Sequence, residues 1–462
     1  MVGSLSKFAP SSRLVYLLVG LLAIAFFTAL LGLSEILLFI SVASLVLAAA
    51  LDGALFVFKP RKATISNSSD TFTFKRGAKS FLAFRYRIDN GGAGRVVSYF
   101  LRLPPGFVYP EVKGEHQSSS KIDDGYEAIV EVLPMKRGIG SMDAVYFELR
   151  STWGFWLGSR EARIDWRFRV FPDLLHDDKN VAAFLLRRDV AGLTARRQFG
   201  LGREFDRLRE YQPGDAYSEI FWKASAKCMR PITMVRRVER TQQVYALIDA
   251  SRLSCRVADY QKPVDGESGK VWPILALDRF VNGALSLGLA AESQGDLFGL
   301  IGFSRYPTLS VKARSGNEHY MAVRNALLDL QADEAHPNYQ ELFSHVRSRI
   351  RSRALLVVFT HFDDASMLER FIDSVRLVAR QHLVVAVTIR PDSVHPLFSA
   401  GSKVESVEEI YKAFTSHLSW ETLESARKRL SQYGIRLLVT SQASLCSQVV
   451  SGYVNVKERQ LV

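Results

Sequence analysis

The chain has 462 residues, of which 48% are hydrophobic, and its formal net charge at pH 7 is +13. This length is too great for one hydrophobic core and the apolar content is too low for a protein that crosses a membrane many times, so we expect a membrane anchor followed by two or three folded units. The basic charge favours anionic partners, and three widely spaced cysteines argue against a disulfide framework and indicate a reducing compartment.

Two apolar runs predict a transmembrane helical hairpin over residues 1–59. Leu14–Leu33 carries no charge and Ile36–Phe58 carries only Asp52, and each run is near the ~20 residues that cross a bilayer as a helix. Basic residues flank both outer ends and are absent from the turn, so the positive-inside rule puts both termini in the cytoplasm. A cleaved signal peptide is the alternative for the first run. Asp52 is interpreted as an interfacial carboxylate near Lys59.

Residues 60–172 alternate apolar and polar side chains with a period of two, and Gly- and Pro-containing turns separate the alternating segments. Several short strands at regular spacing predict an all-β, sandwich-like domain. The aromatic cluster Trp153–Trp156 is interpreted as core or edge packing, and a carbohydrate- or peptide-stacking site is the alternative.

Residues 173–243 form a charged segment with its own turn signals. Val181–Arg188 has the pattern of a short helix, and Pro213 and Gly214 predict a turn. Asp215 is placed to cap the following segment, and Ile220–Trp222 are expected to bury against a neighbouring sheet. Arg209, Glu210 and Asp215 are expected to form a partly buried ion network. A charged loop that clamps two domains and a partner-binding surface remain equally open interpretations.

Residues 244–462 alternate apolar strands with helical segments, which predicts a mostly parallel, doubly wound α/β sheet with C-terminal helices. The first strand ends at Asp249-x-Ser251, and Val271–Ser293 has the pattern of a long amphipathic helix. The predicted fold is therefore multi-domain: a transmembrane helical hairpin, a sandwich-like β domain and a doubly wound α/β domain.

The chain contains the motif Arg209-x-Tyr211-x-Pro213-Gly214-Asp215, followed by Ile220–Lys223. This motif resembles the signature of the bacterial domain-of-unknown-function family 58. This resemblance covers nearly the whole chain and implies a membrane anchor, a β-rich segment and a von Willebrand factor A-like domain. It also implies an inner-membrane protein whose soluble domains face the cytoplasm, with a MoxR-type AAA+ ATPase as partner in assembling or maturing other proteins. The expected partner-binding residues are Arg209, Glu210, Tyr211, Gly214, Asp215, Trp222 and Lys223.

The resemblance further implies a metal-ion-dependent adhesion site built from Asp-x-Ser-x-Ser, a Thr and a second Asp. Asp249 and Ser251 match the first two positions, whereas Leu253 and His361 stand where oxygen ligands are required. Asn338 lies near the expected Thr. Because a hard cation needs several oxygen ligands held together, we expect a degenerate site that binds Mg²⁺ weakly or not at all, and no other cofactor.

Three functions from different classes fit these observations. The first is a membrane-anchored binding or adaptor protein without enzymatic activity, which the resemblance supports. The second is a basic module that binds anionic lipid or nucleic acid, although acidic residues interleave with the basic ones and disfavour nucleic acid. The third is a metal-dependent hydrolase, for which the sequence supplies no complete catalytic constellation.

Overall fold

The computed structural model divides the chain into two units that meet in sequence at Pro172 and Asp173. The first unit contains the apolar helices and the β domain. The second contains the charged segment and the α/β domain. The structure describes residues 8–30, 35–58, 63–66, 70–88, 96–108, 111–115, 120–122, 125–172, 199–213, 215, 217–237, 242–261, 272–362, 365–391, 394, 396 and 407–459.

Two apolar helices begin the first unit. A short strand β1 (Phe8–Pro10) precedes α1 (Ser12–Leu30) and α2 (Glu35–Phe58), and the two helices contact each other. Within the described residues, one stretch, Phe39–Val57 of α2, is long and apolar enough to cross a membrane, while Ser12–Ile24 of α1 is apolar but shorter. The predicted hairpin is therefore supported by one candidate span.

The β domain consists of two sheets. Its strands are β2 (Ala63–Ser66), β3 (Thr71–Lys75), β4 (Ser80–Ile88), β5 (Val96–Arg102), β6 (Glu111–Glu115), β7 (Ser120–Ile122), β8 (Gly125–Val132), β9 (Gly138–Arg150) and β10 (Trp156–Phe171). One sheet has the order β1-β10-β9-β5-β6, with β3 parallel to β10, and the other has the order β2-β4-β8-β7.

Aromatic side chains from both sheets form the core of this domain. The ring centroids of Tyr86 on β4 and Phe147 on β9 lie 5.0 Å apart, and those of Phe84 on β4 and Trp166 on β10 lie 5.6 Å apart. All four side chains are buried. Because these rings come from different sheets, the sheets pack face to face, as the alternating pattern predicts.

The charged segment folds as a hairpin with an insertion. Strands β11 (Phe199–Glu210) and β12 (Ile232–Arg237) pair antiparallel. Between them lie a short 3₁₀ turn, Tyr217–Glu219, and helix α3 (Trp222–Cys228). The predicted helix Val181–Arg188 lies outside the described residues.

The α/β domain has the expected doubly wound sheet. Its elements are β13 (Gln243–Asp249), β14 (Val257–Gln261), β15 (Trp272–Leu275), α4 (Ala276–Ser293), β16 (Leu297–Phe303), β17 (Pro307–Arg314), α5 (Asn317–Asp329), α6 (Tyr339–Arg349), β18 (Ala354–Phe359), α7 (Ala365–Val375), β19 (Leu383–Ile389), α8 (Val407–Gln432), β20 (Arg436–Thr440) and α9 (Leu445–Glu458). The sheet order is β17-β16-β13-β18-β19-β20, and only the edge strand β17 is antiparallel to its neighbour in this sheet.

Helices cover both faces of this sheet. Helices α4, α5 and α9 supply one apolar core, and α6, α7 and α8 supply the other. The central strands are therefore buried on both sides and read as continuous apolar runs. Strand order reverses at β13, so the carboxyl ends of β13 and its neighbours form the edge where ligands meet such sheets.

The structure corrects the sequence analysis at the segment Val271–Ser293. Trp272–Leu275 is a strand that pairs with Val257–Gln261, and the helix begins only at Ala276. Pro273 explains this boundary, because proline disfavours helical geometry in the residue before it and donates no hydrogen bond. Helix α4 is also buried on nearly every side rather than amphipathic, since the sheet, α5 and α9 all pack against it.

Candidate functional site

A closed hydrogen-bond network occupies the carboxyl end of β13. The Asp249 carboxylate accepts a hydrogen bond from the backbone N–H of Ser251 at 2.9 Å through Oδ1 and from the hydroxyl of Thr360 at 2.7 Å through Oδ2. The Ser254 hydroxyl donates to the backbone oxygen of Asp249 at 2.5 Å. Asp249, Ser251, Ser254 and Thr360 have no exposed surface. The oxygen atoms of Asp249, at the end of β13, therefore connect the loop that follows β13 to Thr360, which follows β18.

The network continues from Thr360 to the start of α6. The hydroxyl oxygens of Tyr339 and Thr360 lie 2.9 Å apart. Because the Thr360 proton goes to Asp249, Tyr339 is the donor in this pair. Asn338, which the sequence places near a ligand position, instead caps α6, where its Oδ1 accepts a hydrogen bond from the N–H of Glu341 at 3.1 Å.

This arrangement does not fit a hard cation. Leu253 is buried, and the His361 ring packs against Phe280 with centroids 5.0 Å apart. No group of three or more His, Cys, Asp or Glu side chains placed for a metal occurs in the part of the chain that the structure describes. Mg²⁺ needs several oxygen ligands directed at one point, whereas the Asp249 and Ser251 side chains accept hydrogen bonds from the chain's own N–H and hydroxyl groups.

A cavity of about 630 Å³ opens beside this network. It shares Tyr339 with the network and carries charges of both signs, because Arg305 and Arg370 line it together with Asp373. Sequence reasoning missed the cavity because its lining comes from three separate segments, after β16, before α6 and within α7. The lining residues are Arg305, Ala335, His336, Pro337, Asn338, Tyr339, Gln340, Arg370, Asp373 and Ser374.

In the signature segment, Arg209 and Asp215 form an ion pair that holds a turn. Their nitrogen and oxygen atoms lie 2.6 Å apart. Asp215 also accepts hydrogen bonds from the N–H of Gln212 at 3.1 Å and the hydroxyl of Thr233 at 3.3 Å. The hydrogen bond from Gln212, helped by the Arg209 charge and the Thr233 and Arg209 side-chain bonds, holds the pKa of Asp215 below its usual value against the opposing effect of desolvation.

Glu210 and Tyr211 lie outside this pair. Glu210 forms an exposed ion pair with Arg230 instead of joining Arg209 and Asp215. The Tyr211 ring lies 6.1 Å from that of Tyr217, centroid to centroid. The prediction that Glu210 joins Arg209 and Asp215 in one ion network is therefore wrong. Arg209 and Glu210 are neighbours on β11, and neighbouring side chains of a strand point to opposite faces. Gly214 lies outside the described residues.

The remaining signature residues are largely exposed. Ile220 is buried as expected, but Trp222 is 67% exposed and Lys223 is exposed, so the expected burial of Trp222 is wrong. Tyr217 is 77% exposed and Met229 is 93% exposed. Trp222 begins α3, and Met229 follows its last residue as the C-cap, with a left-handed backbone conformation. We call Tyr217, Trp222 and Met229 the signature face.

A second buried carboxylate lies in α2. Asp52 accepts hydrogen bonds from the Ser151 hydroxyl at 2.5 Å, the Trp153 N–H at 3.0 Å and the Phe155 N–H at 3.3 Å. It has no exposed surface. Asp52 is thus buried against a loop of the β domain, and its expected partner Lys59 lies outside the described residues. Sequence reasoning missed this site because the partners lie a hundred residues further along the chain.

The same loop, Ser151–Trp156, also holds the start of α1. The Ser11 hydroxyl donates to the Gly154 oxygen at 2.5 Å, and the Ser11 N–H donates to the Phe155 oxygen at 2.8 Å. The Trp156 indole donates to the Ala49 oxygen of α2 at 2.8 Å. The loop therefore joins both apolar helices to the β domain, through its backbone groups and the Trp156 indole, while the Trp153 ring is 48% exposed.

One family model matches a stretch that begins within the charged segment and covers most of the α/β domain. Residues 207–404 match the family described as protein of unknown function DUF58, which confirms the resemblance to family 58. No curated relative matches significantly.

Solved structures similar to the chain include three proteins at low identity. The SpRpn10 VWA domain is 11% identical with a TM-score of 0.26, and the match covers 45% of this chain and 95% of that one. BatB from Bacteroides thetaiotaomicron is 13% identical with a TM-score of 0.29, covering 46% and 99%. An aerotolerance-related membrane protein from Bacteroides fragilis is 12% identical with a TM-score of 0.25, covering 46% and 98%.

Proposed function

We propose that this chain, whose residues 207–404 belong to the DUF58 family, is a membrane-associated adaptor that binds a protein partner and catalyses no reaction itself. The oxygen atoms at the carboxyl edge of its sheet are engaged by the chain's own donors. An adaptor binds its partner through exposed surfaces and needs no catalytic or metal site.

The signature face is the observation that carries this proposal. Three large apolar side chains, Tyr217, Trp222 and Met229, are each more than two-thirds exposed. Aromatic side chains and Met are enriched where proteins contact one another, and Trp and Tyr are frequent energetic centres of such contacts. The Arg209–Asp215 pair stiffens the turn that precedes this face. A face that is already ordered loses less conformational entropy when a partner binds.

We propose a MoxR-type AAA+ ATPase as the partner. The family resemblance supports this choice, and so does the charge around the face. Lys223 lies next to Trp222, and the exposed Glu210–Arg230 pair belongs to the two strands that frame the insertion. Mixed charge around an apolar centre favours selective protein contacts over nonspecific attraction to polyanions.

We propose that the adaptor is held at the bacterial inner membrane with its domains in the cytoplasm. The basic residues outside the apolar runs support this orientation. The pairing of β1 with β10 supports a hairpin as well, because it puts the residues before α1 next to the β domain that follows α2. A hairpin of two spans is the arrangement that returns the chain to the same side.

The test is binding of the purified ATPase to the full chain in lipid nanodiscs, measured by surface plasmon resonance. We expect the double substitution Tyr217→Ala and Trp222→Ala to weaken binding at least about tenfold, since central aromatic contacts contribute at least that much. The matched control is Tyr260→Ala with Tyr306→Ala, two exposed tyrosines outside the signature segment. Equal binding by both variants with unchanged thermal unfolding would show that the signature face is not the docking site.

A further inference from the structure

The side chains of two arginines meet at Gly154, in the loop Ser151–Trp156. Arg13 lies in the first turn of α1, and Arg150 is the last residue of β9. A Cβ atom placed on Gly154 would lie 3.4 Å from Nη1 of Arg13 and 3.2 Å from Cδ of Arg150. The φ angle of Gly154 is +84°, so the loop turns tightly at this glycine and lets both side chains approach one backbone position.

Positive charge predominates at this end of the β domain. Arg13 is exposed and forms no ion pair within the ranges that the structure describes, and Arg160 adds a further positive charge beside the last turn of α2. The carboxylate that the loop binds, Asp52, is buried. Glu148, on the same face of β9 as Arg150, forms an ion pair with a lysine of β6 at 3.8 Å. The arginines therefore leave a net positive charge after Asp52 is counted.

The loop lies where the two apolar helices leave the bilayer. Ser11 ties it to the start of α1, and Asp52 ties it to α2 about two turns before that helix ends. On the bilayer side of the loop, the side chains of Tyr16 and Leu51 are 74% and 50% exposed, as lipid-facing side chains are. Because an exposed arginine is costly in hydrocarbon, Arg13 lies in the headgroup layer when these helices are embedded.

An exposed aromatic ring belongs to the same loop. Trp153 precedes Gly154, its side chain is 48% exposed, and its backbone N–H is held by a 3.0 Å hydrogen bond to Asp52. Tryptophan is enriched at membrane–water interfaces, because the indole has an apolar body and a polar N–H group. The loop therefore presents an interfacial aromatic surface and two arginine side chains at one level of the bilayer.

A phospholipid phosphate is the group that this arrangement fits. Guanidinium groups donate paired hydrogen bonds to phosphate oxygens. A zwitterionic headgroup also carries an ammonium group, which the remaining positive charge repels, whereas the headgroup of phosphatidylglycerol is anionic and carries none. An acidic protein segment would have to enter the headgroup layer to reach Arg13, which favours a lipid as the occupant.

We propose that Arg13, Arg150 and Trp153 form a binding site for the headgroup of an anionic phospholipid in the leaflet next to the β domain. The two arginines bind the phosphate, and the indole packs against the glycerol and the first carbons of the acyl chains. The inference rests on the membrane association proposed above, but on neither the ATPase nor the signature face. The loop that holds both apolar helices thereby also selects the lipid beside them.

The experiment measures which lipid contacts Trp153 in the full chain. The chain is placed in nanodiscs of phosphatidylglycerol and phosphatidylcholine in equal amounts, with bromine near the headgroup end of the acyl chains of one lipid or the other. Bromine quenches tryptophan fluorescence at contact, and comparison with Trp153→Phe gives the part that comes from Trp153. We expect brominated phosphatidylglycerol to quench this part at least about threefold more, since each arginine near the surface favours an anionic lipid roughly fivefold.

Substitutions of the arginines make the test specific. Arg13→Gln with Arg150→Gln should remove the preference, so that both brominated lipids quench equally. Arg13→Lys with Arg150→Lys keeps the charges and should give an intermediate preference. The matched control is Arg163→Gln with Arg169→Gln, which removes two exposed arginines of β10 in the same domain and should leave the preference unchanged. Arg13→Gln alone, at an exposed position, should halve the preference and carries the test if the double variant does not fold.

The outcomes separate this inference from the membrane association on which it rests. Equal quenching by the two lipids in the wild type, or an unchanged preference in a folded Gln variant, would overturn the headgroup site. Loss of the preference on addition of inorganic phosphate, but not of chloride at the same ionic strength, would assign the arginines to soluble phosphate and overturn it as well. Failure of the chain to enter nanodiscs would refute the membrane association itself.

Discussion

The hydroxyl of Thr360 donates a 2.7 Å hydrogen bond to the Asp249 carboxylate across 111 residues of sequence. Both side chains are fully buried. The bond joins the loop after β13 to the loop after β18, at the carboxyl edge of the sheet, where open α/β sheets commonly hold ligands. A carboxylate that the sequence marks as a candidate metal ligand is thereby used to fasten two neighbouring loops.

Loss of this bond should destabilise the α/β domain. Thr360→Val keeps the shape of the side chain but leaves a buried carboxylate without one of its donors, so we expect the free energy of unfolding to fall by about 2–3 kcal/mol. The control is Thr308→Val, because Thr308 is exposed and its hydroxyl makes a longer bond of 3.3 Å to Gly302. Urea unfolding measures both. Equal stability of the two variants would contradict the proposed role of Thr360.

Metal binding should be weak or absent. We expect calorimetric titration of the purified chain with Mg²⁺ or Mn²⁺ to show no stoichiometric site tighter than about 1 mM, because fewer oxygens converge than a hard cation requires. A site of micromolar affinity that disappears in Asp249→Ala would overturn this prediction and restore the adhesion-site interpretation.

The Arg209–Asp215 pair should stabilise its hairpin in a pH-dependent manner. The pKa of Asp215 is lowered in the folded chain, so its contribution is complete above the ordinary aspartate value and is lost as the pH falls through the lowered one. Asp215→Asn should therefore reduce hydrogen-exchange protection of β11 and β12 at pH 7 and match the wild type in strong acid. Glu210→Gln, in an exposed pair, should change little at either pH.

Mild acid should destabilise the α/β domain through His382. This side chain is buried, neither ring nitrogen has a hydrogen-bond partner among the described residues, and burial lowers its pKa. The unfolded chain therefore takes up the proton at a higher pH than the folded chain, so stability falls as the pH drops below the ordinary histidine value. His382→Leu should make the unfolding midpoint less dependent on pH between about 7.5 and 5.5.

The control for this prediction is His336→Leu, at an exposed position. In this variant the unfolding midpoint should depend on pH as it does in the wild type. Part of the pH dependence of the unfolding midpoint should also remain in His382→Leu, because the pKa of His345 is lowered as well. Burial is the main cause of that lowering, and the nearby Arg349 charge is the second. An unchanged pH dependence in His382→Leu would assign the acid sensitivity to other groups.

Asp52 should be essential for attaching α2 to the β domain. Asp52→Leu suits an apolar helix but leaves the Ser151 hydroxyl and two backbone N–H groups without their acceptor, so we expect a loss of about 2–4 kcal/mol. Thermal unfolding in nanodiscs, followed by the fluorescence of nearby Trp153 and Trp156, measures the effect. Leu51→Ala, at an exposed neighbour on α2, is the control, and equal melting of the two variants would contradict the assignment.

Local patterns predicted the elements better than the contacts between them. The apolar strand that ends at Asp249 and the alternating strands of the β domain follow directly from residue periodicity. The bonds from Asp52 to Ser151 and from Asp249 to Thr360 join distant parts of the sequence, so no local pattern reveals them. The edge strand β17 escaped prediction for a related reason, because its alternating residues become a strand only through pairing with β16.

The site was predicted in outline and corrected in detail. The sequence identifies Arg209 and Asp215 as interacting charges, and the structure pairs them. It does not show that Trp222 is exposed, because an aromatic side chain in a short helix has the same local signature whether it packs inward or outward. The exposure of Val407, Ile410 and Tyr411 on α8 escaped prediction for the same reason, because helical spacing alone does not distinguish a buried face from an exposed one.

The attachment of α2 at Asp52 has a mechanical consequence. The last turns of the helix are fixed to the sandwich by three hydrogen bonds and by Phe56, which belongs to the apolar core of the domain. A change in the orientation of α2 would therefore rotate the β domain with it, about the loop Ser151–Trp156.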